Sequence, residues 1–96
     1  MYLIKYDRQA AKDIKNLESA KLDVKAKSLI EILQKNPLEP PYEELVGNLS
    51  GLYSRRINIQ HRLVYEIFNE EVLIGNMKYE GTVKIIRMWT HYEKVK

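Results

Sequence analysis

One apolar stripe between residues 22 and 33 limits what this chain can fold into more than any other feature. Leu22, Ala26, Leu29, Ile30 and Leu33 recur at i, i+4, i+7, i+8 and i+11, the signature of a helix with a single buried face. Lys21, Lys25, Ser28 and Glu31 point the other way. Such a helix gains its stability by covering another element, so the rest of the chain must present a surface to it. Ser19 reads as its cap and the helix as running over about 20–35. Upstream, Asp7 can cap a helix over about 8–18 whose buried stripe is Ala10, Ile14 and Leu17. The two make a helical hairpin, preceded by a short alternating strand from Tyr2 to Tyr6.

Beyond this hairpin the pattern changes. Pro37, Pro40 and Pro41 end the helix and force an extended connection. Tyr42-Glu43-Glu44-Leu45 follows, then the turn-prone run Gly47-Asn48-Leu49-Ser50-Gly51. Leu52 to Asn58 and Arg62 to Phe68 read as paired strands joined by a short turn near Ile59-Gln60. A last strand spans Val83 to Trp89 and feeds into His91-Tyr92, while Val72 to Thr82 fits either an additional strand or a long hairpin arm. This order gives an α+β domain: an N-terminal strand and a helical hairpin on one face of a mostly antiparallel sheet of four to five strands. The other sheet face is expected to be open. Residues 1–96 suffice for one such core and not for two, so the chain reads as a single domain.

Composition narrows the setting. No apolar run approaches the roughly 18 residues of a membrane span, so no membrane partner is expected. The N-terminus lacks the positive start and long apolar core of a secretion signal, and a cytoplasmic address is expected. The absence of cysteine excludes disulfides, thiolate chemistry and Cys-based zinc sites. The net charge of +3 is a mild basic bias that by itself does not point to nucleic acid. Its distribution says more. Arg55, Arg56, Arg62 and Arg87 all fall in the second half, whereas seven of the eleven lysines precede residue 36. Arginine presents a planar fork suited to phosphate oxygens, and lysine is the usual solubilising residue of a helix surface.

Alternation places Ser54 and Arg56 on one side of their strand and Arg55, Ile57 and Ile59 on the other. With Arg62 opening the neighbouring strand, a cluster of Arg55, Arg56 and Arg62 on the sheet is expected. Glu43, Arg56, Arg62 and His91 then form a constellation able to cut RNA through its own 2′-hydroxyl. Glu43 would be the base, the arginines the phosphate clamp and His91 the acid for the departing 5′-oxygen. Such triplets also arise in ordinary charged surfaces, and a glutamate before a turn is more often a solvated charge. His61 reads as structural, a residue of the hairpin turn, and Trp89 and Tyr53 as core or rim. Tyr92 is the better candidate for stacking on a base. Two distant histidines without cysteine do not have metal-ligand spacing, so no metal is expected.

The stretch Asn48-Leu49-Ser50-Gly51-Leu52-Tyr53-Ser54-Arg55-Arg56-Ile57-Asn58, then His61-Arg62-Leu63-Val64-Tyr65 and a late His91-Tyr92, closely resembles the Txe/YoeB branch of the RelE toxin superfamily. The likeness runs over nearly the whole chain. It implies a RelE-like fold and an mRNA interferase that cleaves messages in the A site of the 70S ribosome, leaves a 2′,3′-cyclic phosphate and uses no cofactor. It also implies a cognate antitoxin of YefM/Phd-like or similar type, with an acidic tail. By this resemblance Glu43 is the general base, Arg62 the phosphate-stabilising arginine and His91 the general acid. Arg55 and Arg56 would be substrate contacts, and Tyr92 the aromatic beside the acid.

Three positions depart from the family pattern. Val46 stands where the family usually has lysine, Glu44 replaces a common proline, and the segment between Phe68 and Val83 is longer than in the shortest members. Two other classes compete with the nuclease: a ParE-like toxin that poisons gyrase without hydrolysis, and a catalytically silent protein that only binds an antitoxin. Cleavage of RNA by the purified chain separates them.

Overall fold

A computed structural model of the chain describes residues 1–90, the last of them by its backbone alone. The elements are β1 (Tyr2–Tyr6), α1 (Arg8–Ser19), α2 (Asp23–Lys35), β2 (Glu43–Glu44), a short 3-10 turn (Gly47–Leu49), β3 (Leu52–Arg56), β4 (Arg62–Phe68), β5 (Val72–Ile74), β6 (Met77–Tyr79) and β7 (Gly81–Thr90). Five strands form one sheet in the order β1-β7-β4-β3-β2. Only β1 and β7 run parallel; the other pairs are antiparallel. The α+β architecture is therefore the one the sequence pattern predicts.

Both helices pack on one face. Ala10, Leu17, Ala26, Leu29 and Leu33 meet Leu63, Tyr65, Val83, Ile85 and Met88 in a buried core. Three expectations need correction. On α1 the buried stripe is Ala10, Asp13 and Leu17, and Ile14 is exposed. A carboxylate can take the i+3 position here because Arg87 and a backbone N–H satisfy it. Second, Ser19 ends α1 instead of capping α2, which begins at Asp23. Leu22 N–H bonds the Leu17 carbonyl at 2.8 Å and Lys21 N–H bonds Glu18 at 3.1 Å, with Lys21 at φ 61°. This left-handed helix ending normally carries glycine, so a lysine there hides it from a sequence reading.

The far face of the sheet is not fully open, which is the third correction. The loop after β2 folds over part of it, burying Leu45 and Val64 with Leu49, Leu52 and Ile86 packed around them. The ambiguous segment resolves as a hairpin arm: β5 and β6 pair with each other across Gly75, apart from the main sheet. Among the described residues, no helix is long and apolar enough to cross a membrane.

Candidate active site

Strand alternation sets the site. Glu43 pairs with Ser54, Ser54 with Val64, and Arg56 with Arg62, so Glu43, Ser54, Arg56 and Arg62 share one face of the sheet. The Arg62 guanidinium bridges its neighbours: Nη1 donates to Ser54 Oγ at 3.1 Å and Nη2 meets Glu43 Oε1 at 3.3 Å. The Arg62 side chain is only 13% exposed and that of Glu43 55%. A fixed cation thus holds an accessible carboxylate. Arg56 is exposed beside them. The residues line an open groove of about 460 Å³ whose other wall is Pro40, Pro41, Tyr42 and, from α2, Lys25 and Ile32. A carboxylate acceptor flanked by two guanidinium forks is an arrangement able to bind a phosphodiester and accept a proton beside it.

The cluster does not include all three arginines expected of it. Arg55 points to the helix face, is 3% exposed, and donates from Nη1 to the Glu39 carbonyl. Alternation turns adjacent arginines to opposite faces; Arg55, almost wholly buried, still lines the groove and anchors the loop that carries Glu43. It also lies by Tyr65, whose hydroxyl donates to the Pro37 carbonyl at 2.7 Å. Burial pushes the Tyr65 phenol up to about 12, with the Arg55 guanidinium pulling the other way. Tyr65 stacks on Tyr53 at 5.8 Å, and Tyr42 meets Tyr53 edge-on at 5.9 Å, so aromatic contacts tie the loop to the sheet.

Glu44 pairs opposite Tyr53 and falls on the other side from Glu43, which separates the two adjacent acids. Val46 is exposed on the loop beyond. His61 closes the β3–β4 turn: its N–H bonds Asn58 Oδ1 at 2.7 Å, and its ring stacks on Trp89 at 3.8 Å. His91 and Tyr92 lie outside the described residues. No group of three or more histidine, aspartate or glutamate side chains is placed to hold a metal among the described residues. Ser54 joins the site as an acceptor for Arg62, and its alternation with Arg56 is the sequence signal that places it on this face. Asp13 carried no sequence signal at all.

A family model of YoeB-like toxins of bacterial type II toxin–antitoxin systems matches residues 2–92. The chain belongs to the YoeB toxin family. A YoeB toxin of Synechocystis is 42% identical over 53 residues, which span 53% of this chain and 62% of that protein. Staphylococcus aureus YoeB, solved as a dimer, is 33% identical with a TM-score of 0.71, covering 95% of this chain and 98% of that one. The same toxin in a heterotetrameric complex with YefM gives a TM-score of 0.68 over 96% and 99%. A YoeB/ParE toxin from Agrobacterium tumefaciens shares the fold, with a TM-score of 0.74 at 23% identity over 94% and 99%. The likeness in fold to the Staphylococcus aureus toxin thus extends over 95% of this chain.

Proposed function

We propose that this toxin is an endoribonuclease that cuts messenger RNA on the ribosome through the RNA's own 2′-hydroxyl, without a metal ion. The observation that carries the reading is Arg62, held between Ser54 and Glu43 on an open sheet face beside Arg56. Glu43 takes the proton of the ribose 2′-hydroxyl as the O2′–P bond forms. Arg62 and Arg56 balance the charge that builds on the non-bridging oxygens. As the P–O5′ bond breaks, His91 gives a proton to the departing oxygen, and Tyr92 supports the adjacent base. The upstream fragment then ends in a 2′,3′-cyclic phosphate and no water is consumed. A cognate antitoxin silences the enzyme, as the complex of the Staphylococcus aureus relative with YefM suggests. An acidic antitoxin tail across Arg56 and Arg62 would supply the complementary charge.

The test is cleavage of programmed ribosomes by the purified chain, read by primer extension. Glu43→Gln keeps the shape of the side chain and removes the base, so the rate should fall by about 10²–10⁴. A Glu43→Gln protein that cuts at the wild-type rate overturns the reading.

A further inference from the structure

Asp13 lies on α1, on the opposite side of the sheet from Glu43 and Arg62, and is fully buried. Its carboxylate is heavily used. Oδ2 accepts from Arg87 Nε at 2.9 Å and from the Met88 backbone N–H at 2.9 Å. Oδ1 accepts from Arg87 Nη2 at 3.3 Å and from Gln9 Nε2 at 3.4 Å. The bond to Met88 is the informative one, because Met88 sits where the β4–β7 ladder is irregular. The register shifts twice: Ile86 is an additional residue between the Tyr65–Ile85 and Val64–Arg87 pairs, and between Val64–Arg87 and Arg62–Thr90 the residues Met88 and Trp89 together oppose the single residue Leu63. An extra residue of this kind is a β-bulge, which takes a backbone group out of the ladder. A buried N–H without a ladder partner needs another acceptor, and Asp13 is that acceptor.

The bulge has a consequence on the other face. Without the additional residue, Trp89 instead of Thr90 would stand opposite Arg62. A slip of one residue turns every later side chain to the opposite side of the sheet. We infer that Asp13 is a positioning residue for the cleavage site: by holding the bulge at Met88 it fixes the register in which β7 passes Arg62, the arginine that clamps the phosphate. This rests on the nuclease reading above. Arg87 balances the buried charge, and the effect on chemistry runs through Met88.

The test uses Asp13→Asn, which keeps the volume and weakens the acceptor, beside Glu43→Gln and wild type. Single-turnover cleavage on programmed ribosomes should slow by about 10- to 100-fold, the scale expected when a reacting group is misplaced by about 1 Å. The KM for programmed ribosomes and the antitoxin affinity should stay near wild type, a split that general loss of fold would not produce. Wild-type turnover by a folded Asp13→Asn protein overturns the inference, and so does a rate loss that vanishes on cooling until the variant is fully folded. A second measurement needs no variant: the Met88 amide of the wild-type toxin should be strongly protected from hydrogen exchange, and rapid exchange there overturns the bulge contact. If Glu43→Gln also cuts like wild type, the nuclease reading fails first, and the two failures are thereby told apart.

Discussion

Arg62 and Arg87 each meet a carboxylate, one on either face of the same sheet. Arg62 reaches Glu43 through one contact at 3.3 Å, and the Glu43 side chain stays 55% exposed. Arg87 grips Asp13 with two nitrogens, the nearer at 2.9 Å, and the Asp13 side chain is 1% exposed. An exposed ion pair contributes only about 0–1 kcal/mol to stability, because water screens it and long side chains lose freedom in forming it. Removing one partner of a buried pair costs about 3–5 kcal/mol, since the other charge is left stranded. The difference separates a site from a scaffold. In the proposed mechanism Glu43 is held loosely enough to meet a substrate and exchange a proton. Asp13 is held so that the strand beside it has one register.

The largest contrast should appear in turnover. His91→Gln is expected to slow cleavage by about 10²–10⁴ if His91 protonates the leaving oxygen. His61→Gln should behave in the reverse way, keeping most of its turnover while its melting temperature falls slightly, because His61 closes a turn and stacks on Trp89. Primer extension with thermal melts alongside reads both, and a fast His91→Gln enzyme removes the acid from the mechanism. A smaller contrast concerns stability alone. Asp13→Ala should lower the unfolding free energy by about 3–5 kcal/mol, and Glu43→Ala by no more than about 1 kcal/mol. Urea melts of the two variants measure this directly. Equal losses would mean that the two pairs do not divide into site and scaffold.

Much of this molecule is legible in its sequence, and the parts that are not have physical reasons. The apolar stripe of α2 is buried through Ala26, Leu29 and Leu33 because helical periodicity survives into the fold unchanged. Alternation in Ser54-Arg55-Arg56 sorts Arg56 onto the face of Glu43 and Arg55 onto the other, so the three arginines do not share one surface. The burial of Asp13 could not be foreseen, since its partner Arg87 is 74 residues away and period-based reasoning sees only near neighbours. The bulge at Met88 is hidden for the same reason, as it exists only relative to β4. Lys21 conceals a helix end because its left-handed backbone is one that glycine usually announces. The direction of Glu43 became clear only through β2, a strand of two residues too short to show any period.

In the proposed mechanism the RNA supplies its own nucleophile beside Glu43 and Arg62. The most direct measurement is cleavage of a message carrying a single 2′-deoxynucleotide at the scissile position, on programmed ribosomes, against the all-ribose message. The modified site should stay intact while the all-ribose message is cut to an upstream fragment with a 2′,3′-cyclic phosphate. Cleavage of the deoxy site at a rate near that of the ribose site would contradict it.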